Sequence, residues 1–411
     1  MNQLSTHVDP SRLISVTEAM ALIDAVPICT RTEALALDHA YGKTLAQALG
    51  ADRDYPPFDK SLMDGYAVQS RDVLNPPVML RQVAHVAAGE RYVGVLGRGE
   101  CVKIMTGAPM PAGADGVVPV EQTRASDGGL VEILKSDQPS RYVARQGADE
   151  RAGAVVLPAG TTLGATQLAV AASVGASIVR VFADPTAAIL STGDEIVPYD
   201  QSPGENAIRN SNSIMLATLL HRLGCQVRDL GHVGDNVADI AEHIKRGFAS
   251  DMLFITGGMS MGDHDYVPRV LAGLGMSFKI TKLRIKPGKP FVFGVFDRSD
   301  GSACHIFGLP GNPVSGFVCT LRLAARLVRK YRGLDPEPAW VEGTLRVGLP
   351  PNGSREFYQP VRHDSGQIDP LGWKGSADVF TLARANALLI RAENEPGLSA
   401  GTRVRVLEIP L

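Results

Sequence analysis

The chain has 411 residues, with 45% hydrophobic and 20% charged residues and 41 Lys and Arg set against 43 Asp and Glu. That length exceeds one ordinary hydrophobic core, so roughly two to four domains are expected. The near-neutral balance, a formal net charge of -2, excludes a globally basic nucleic-acid binder and gives no sign of a membrane-surface protein.

Five scattered cysteines, Cys29, Cys101, Cys225, Cys304 and Cys319, form no CxxC pair. They are expected to be buried free thiols in a reducing compartment, with no zinc or iron–sulfur site. The N-terminus lacks a signal-peptide pattern and no apolar run reaches membrane-spanning length, so a cytoplasmic location is expected.

The first predicted element is a helix over about Thr17–Ala25. Ser15 stands three positions before Glu18, as in a capping box, and Met20, Ile23 and Val26 supply an apolar stripe. Ala36–Leu49 reads as a short helical or turn region. From Asp52 to Gly147, alternating runs such as Val78–Val83 and Gly129–Leu134 read as strands between Gly and Pro turns, so this stretch is β-rich. Thr166–Gly175 reads as a helix that packs back onto the first one, in a small domain made of two chain segments.

From Thr186 the rhythm is α/β. Strands are predicted at Ala187–Leu190, Val227–Leu230, Met252–Ile255 and Cys304–Phe307, and helices at Ile214–Leu223 and Ile240–Phe248. Another helix begins at Asn312, a capping residue followed by Pro313 at the first helical position. Repetition of strand, glycine loop and helix predicts a mostly parallel sheet covered on both faces, with ligands at the carboxyl ends of its strands. The last stretch reads as a small β domain with strands at Val341–Val347, from Phe380 onward, and at Thr402–Glu408.

Three loops follow predicted strands and should share one sheet edge: Ser191–Glu195, Thr256–Tyr266 and Gly308–Ser315. Glycines there let backbone N–H groups approach an anion, the hydroxyls of Ser260 and Ser315 add donors, and helix N-termini add favourable dipoles. Neither a Walker A pattern nor a dinucleotide fingerprint occurs at these junctions. Lys282, Arg284 and Lys286 alternate, so as a strand they share one face; such a face is either a solvated, lysine-protected edge or an oxyanion clamp. Acidic residues gather in the glycine loops (Asp64, Asp115, Asp149, Asp194, Glu195, Asp235, Asp263 and Asp265). Singly each reads as a turn-former; beside phosphate-binding lysines they point to Mg²⁺. His264 lies among them.

Six ordered segments now carry a resemblance. Asp59–Ala67, Lys103–Pro111, Ser191–Glu195, Thr256–Tyr266, Lys286–Pro290 and Gly308–Ser315 resemble the signatures of the molybdopterin molybdenumtransferases, the bacterial MoeA proteins and the C-terminal part of gephyrin. The resemblance implies a multidomain α/β and β fold. A small mixed domain would comprise residues 10–32 and 148–184, with an inserted β-rich domain over 33–147. An α/β molybdopterin-binding domain akin to the adenylyltransferases would span 185–334, and a C-terminal β domain 335–411.

It also implies a homodimer with a shared cleft, and insertion of molybdate into adenylylated molybdopterin with Mg²⁺-assisted release of AMP. A molybdopterin adenylyltransferase and downstream cofactor-handling proteins or molybdoenzymes would be its partners. By the same resemblance Glu195 and Asp235 lie near Mg²⁺ or the nucleotide, Asp265 orients the site, and Lys282 and Lys286 hold phosphate or molybdate. Asp64, Thr106 and Asp149 would come from the partner subunit. Substrate binding would involve Ser191, Gly257, Gly258, Ser260, Gly311, Asn312, Pro313, Ser315, Arg355 and Ser376.

This chain departs from the family pattern at Lys60, at Met259 and Met261, and around Gly375–Asn386, where a second glycine and paired serines are missing. The rival readings are an adenylylating enzyme, which the two β regions disfavour, and a cofactor carrier, which the acidic and basic loop residues disfavour.

Overall fold

Two stretches of chain, Met1–Glu33 and Phe182–Leu411, build one unit, and Ala34–Val181 builds the other. The structure, a computed structural model, describes residues 12–259 and 266–410. No helix among the described residues is long and apolar enough to cross a membrane.

Helix α1 (Val16–Ala25) starts as the sequence predicts: the Ser15 hydroxyl accepts from the Glu18 N–H. Only half of the capping box forms, because the Glu18 carboxylate pairs with Arg12 instead. Its stripe of Val16, Ala19 and Ile23 packs into the core of the α/β region beside Phe254, Leu327 and Val328. Fully burying side chains the size of Val or Ile is worth roughly 1.5–3 kcal/mol each.

This corrects the expected pairing of α1 with the Thr166–Gly175 helix. That helix, α2 (Ala165–Ser173), buries Ala171 in a separate core with Ala40, Leu45, Leu157, Leu163, Val179 and Val181. The two-segment piece therefore draws its first segment from residues after 33, not from 10–32: Leu49–Gly50 pairs with Val155–Leu157, and Leu45 bridges to Val181. Ala36–Leu49 is a 3₁₀ turn at Leu37–His39 followed by these short pairings.

The rest of the Ala34–Val181 unit is a six-stranded sheet. Its strands are β1 (Gly65–Val68), β2 (Val78–Val86), β3 (Glu100–Ile104), β4 (Gly116–Pro119), β5 (Thr123–Ser126) and β6 (Leu130–Ile133), in the order β4-β1-β3-β2-β6-β5. Alternation puts Tyr66 and Val68 into one small core and Ala67 into another, and a register shift between Gln82 and Ala84 in β2 sends Leu80 to the first and Val86 to the second.

In the larger unit, β7 (Thr186–Thr192), α3 (Asn212–Leu223), β8 (Gln226–Val233), α4 (Val237–Gly247), β9 (Met252–Thr256) and α5 (Tyr266–Gly273) follow in turn. After β10 (Ser277–Ile280) and the two-residue β11 (Ile285–Lys286) come β12 (Val292–Asp297) and β13 (Ala303–Leu309). The sheet order is β8-β7-β9-β13-β12-β10. The first four strands are parallel; β12 pairs antiparallel with β13, and β10 pairs antiparallel with β12 at the edge. Residues 187–190 and 252–256 are all buried, the near-continuous apolar run of a sheet covered on both faces.

Helix α6 (Pro313–Cys319) continues through a π turn (Thr320–Ala324) into α7 (Ala325–Tyr331). The C-terminal region is β14 (Val341–Leu345), β15 (Glu356–Asp364), β16 (Gln367–Pro370), β17 (Ala387–Arg391) and β18 (Arg403–Glu408). A β15–β17 pairing closes the order β15-β16-β14-β18-β17 into a ring around Leu345, Val361, Ile368, Leu389 and Val406.

The strand predicted from Phe380 is instead a helical turn, α8 (Val379–Leu382), capped by Asp378, whose carboxylate accepts from the Thr381 N–H and hydroxyl. Of the cysteines, Cys29 is exposed rather than buried; all five are free thiols.

Candidate active site

Parallel registration aligns the carboxyl ends of the central strands: Ser191 lies opposite Thr256, Thr192 opposite Val233, and Thr256 opposite Leu309. The loops at 193–195, 234–236, 257–259 and 310–312 therefore leave from one edge. After β7 the chain crosses to α3 on one face of the sheet, while α4 and α5 bury their apolar residues on the other. A crevice at such a reversal is where open α/β sheets bind ligands.

Gly257 passes close against the end of β7. Its φ is +88°, and a Cβ there would lie 2.3 Å from the Thr192 carbonyl oxygen. Its N–H donates to Leu309 O at 3.3 Å.

On the other side of β7, the Asp194 carboxylate accepts from the Asp235 N–H at 2.9 Å, and His232 Nε2 lies 2.7 Å from Gly193 O. Asp194 thus ties the turn carrying Glu195 to the turn carrying Asp235. Glu195 folds back over Gly193, its carboxylate 2.5 Å from where a Cβ on that glycine would stand. Among the described residues no group of three or more His, Cys, Asp or Glu converges on one point. Glu195 and Asp235 are exposed carboxylates, which suits a hard cation that takes one or two protein oxygens and completes its shell with phosphate and water.

The alternation predicted for Lys282–Lys286 is present. Leu283 and Ile285 are fully buried, while Lys282, Arg284 and Lys286 are half-buried on the opposite side. The segment is held from two directions, by Ile14 pairing with Leu283 and by β11 pairing in parallel with Glu356 and Phe357. Arg284 pairs with Glu393 at 3.0 Å. Lys286 Nζ stands 4.4 Å from the ring centre of Phe357 and 5.7 Å from that of Trp373. Gly288, with φ +118°, seats the following turn on α6, where a Cβ would meet Cys319 Sγ at 2.5 Å.

The start of α6 joins the two regions of this unit. Asn312 makes no side-chain cap; its amide donates to Ser376 Oγ at 2.9 Å, and Ser376 O accepts from the Val314 N–H at 3.1 Å. The Asn212 amide donates to Gly311 O at 2.7 Å. Ser376 also lines an open hollow of about 920 Å³ with Lys374, Asp378, Phe380, Thr381 and Arg384. Hydrogen bonds from the Thr381 hydroxyl and N–H, then from the Lys374 N–H, hold the Asp378 carboxyl below its usual range.

Two expected binding residues stand in the wall of the site. Ser191 is 2% exposed with its hydroxyl accepting from Thr256 Oγ1 at 3.2 Å, and Ser315 is 3% exposed. Arg355 is half-buried immediately before Glu356, the register partner of Ile285. Gly258, Gly311, Asn312 and Pro313 are at least partly accessible. Ser260, Asp263, His264 and Asp265 lie outside the described residues. Sequence reasoning did not single out Asp194 as a tie between loops, nor Phe357, Trp373, Lys374 and Arg384. No local pattern marks Asp194, Phe357 or Trp373, because each acquires its neighbour from a distant segment.

In the Ala34–Val181 unit, two expected residues meet. One Asp64 carboxylate oxygen accepts from both the Thr106 N–H and its hydroxyl, each at 2.7 Å. These bonds, the N–H first, hold the Asp64 carboxyl below its usual range. Asp149 sits on a separate turn, its N–H donating to Tyr55 O. Asp59 ties that turn to the Lys60–Asp64 segment by accepting from the Gln146 N–H and from Arg145 at 2.6 Å. Partial burial raises the Asp59 pKa, and these bonds outweigh it to leave a net lowering.

Three family descriptions match in order: the MoeA N-terminal region (domain I and II) over residues 14–175, a probable molybdopterin binding domain over 188–330, and the MoeA C-terminal region (domain IV) over 342–409. The chain belongs to the MoeA family. The MoeA N-terminal match takes in Asp64, Thr106 and Asp149; the central match takes in the strand-end loops and Lys282–Lys286; and the MoeA C-terminal match takes in Arg355, Phe357, Trp373 and Ser376.

The molybdopterin molybdenumtransferase of a Nostoc species is 36% identical over 92% of this chain and 89% of its own length, and that of Haemophilus influenzae is 30% identical over 94% and 96%. The crystal structure of a molybdopterin biosynthesis MoeA protein from Pyrococcus horikoshii superposes with a TM-score of 0.84 at 26% identity, covering 97% of this chain and all of that one.

Proposed function

We propose that this protein is a molybdopterin molybdenumtransferase that inserts molybdate into adenylylated molybdopterin and releases AMP. What carries the reading is the strand-end edge itself. One sheet edge bears paired acidic turns at Asp194–Glu195 and Asp235, the glycine turn at 257, and the Asn312–Ser376 junction. A lysine-bearing segment, with Lys282 and Lys286 on one face, belongs to the same unit. Relatives of full-length similarity bear that enzyme's name.

In this reading the two pterin thiols ligate molybdate, one displaced oxygen leaving with their protons as water, and a water molecule attacks the phosphoanhydride, giving the pterin phosphate and AMP. Negative charge builds on the departing phosphate, and Lys282 and Lys286 offset it as mobile positive point charges without a covalent protein nucleophile. Glu195 and Asp235 would hold Mg²⁺, which supplies further charge neutralisation at the phosphates. Gly258 and the N–H groups at the start of α6 that Ser376 does not take would face phosphate oxygens.

We further propose a homodimer in which the Asp64–Thr106 corner of one copy serves the loops of the other. Substrate would come from a molybdopterin adenylyltransferase, and product would pass to cofactor-handling proteins or molybdoenzymes.

The test is AMP release from adenylylated molybdopterin with Mg²⁺, with and without molybdate, followed by transfer of the product to a cofactor-free molybdoenzyme. Molybdate-dependent AMP release with activation of the acceptor is expected. Tight binding with neither result would replace this reading with that of a carrier.

A further inference from the structure

Within one extended segment, Arg284 and Lys286 are anchored by different chemistry. Arg284 forms an ion pair with Glu393, a contact that offsets its charge. Lys286 instead lies over two aromatic rings, within the range at which a ring face attracts an ammonium. A carboxylate would neutralise the lysine; a ring holds it in place and leaves its full positive charge for an incoming anion.

The two rings form one support. Phe357 and Trp373 have centroids 5.3 Å apart and planes tilted by 32°. Phe357 is fixed by register, since it is the backbone partner of Lys286 itself. Trp373 arrives from the segment that leads into Ser376. Its indole Nε1–H is buried with no hydrogen-bond partner, so the position uses the ring and not the donor.

We propose that Phe357 and Trp373 are positioning residues that hold the Lys286 ammonium toward a tetrahedral oxyanion, with Trp373 the ring that can be exchanged without disturbing β11. The inference rests on the reading of Lys286 as an oxyanion-binding residue. Two sources share that chemistry, molybdate and the phosphate of the adenylylated pterin, and separate probes distinguish them.

Binding of molybdate alone and of inorganic phosphate alone is measured by equilibrium dialysis on the full chain. The variants are Trp373→Leu, Trp373→Phe, Lys286→Met and the double change Lys286→Met/Trp373→Leu, each checked for a native thermal transition. For whichever oxyanion binds, Trp373→Leu is expected to weaken binding about tenfold, and Trp373→Phe to retain most of it. In the Lys286→Met background, loss of Trp373 should add nothing, because the ring acts through the lysine. Unchanged binding in Trp373→Leu, or additive losses in the double variant, overturns the positioning role while leaving the oxyanion site intact. Failure of the unaltered chain to bind either oxyanion overturns the reading of Lys286 and this inference with it.

Discussion

Gly257 is the residue whose replacement tests the strand-end site most directly. It combines a left-handed φ of +88° with a backbone oxygen, Thr192 O, 2.3 Å from the place a Cβ would take. The left-handed conformation costs an L-residue about 1–2 kcal/mol. The overlap adds about 1–3 kcal/mol, since the obstruction is main chain in a buried parallel strand and cannot rotate aside. Gly257→Ala should therefore destabilise the larger unit by about 2–5 kcal/mol, or displace the loop and lose oxyanion affinity at smaller cost.

Gly275 provides the control within the same unit. Its φ is +91°, but nothing lies within 4 Å of its would-be Cβ, so Gly275→Ala should show the conformational cost alone, about 1–2 kcal/mol. Urea unfolding of both variants, followed by probes specific to the α/β region, separates the two contributions. If Gly257→Ala is no less stable than Gly275→Ala and binds oxyanions normally, the close approach of the 257 turn to β7 is wrong.

Thr106→Val should raise the Asp64 pKa part of the way toward 3.8, because one of two hydrogen bonds is lost while the N–H remains; carboxyl ¹³C chemical shifts followed against pH would read it, and an unmoved midpoint would remove Thr106 as the cause. His305 is fully buried between Tyr331 OH and Pro27 O, and burial depresses its pKa below 6.5. The unfolded chain therefore binds more protons than the folded one as pH falls through 6.5, and stability falls with it, by at most about 1.4 kcal/mol per pH unit from this group. His305→Gln should flatten that slope in urea midpoints measured from pH 7.5 to 5.5. Asp24→Ala leaves the 7%-exposed Arg326 with Glu337 alone. It should cost about 1–3 kcal/mol, less than the 3–5 kcal/mol of a fully orphaned buried charge, read as a lower urea midpoint at unchanged slope.

What the sequence determined by itself is whatever depends on neighbours a few residues apart. Ser15 before Glu18 placed the start of α1, the apolar runs placed β7, β8, β9 and β13, and the alternation of Lys282, Arg284 and Lys286 with Leu283 and Ile285 placed three basic side chains on one face. Strand–loop–helix repetition also put the glycine loops on one edge, because parallel strands joined by crossovers must all end on the same side.

The partnerships were set by the packing of distant segments. Thr106 meets Asp64 across 42 residues and Asn312 meets Ser376 across 64. Helix α1 carries an apolar stripe that would fit many surfaces, and it was the α/β core, not α2, that covered it. Local order cannot state which surface that is, since burial of an apolar face is non-directional and its partner is set by the register and topology of the whole chain. Phe380 shows the same limit at short range: a β-prone aromatic sits in a helical turn because Asp378, two residues earlier, finds the Thr381 N–H and hydroxyl to cap.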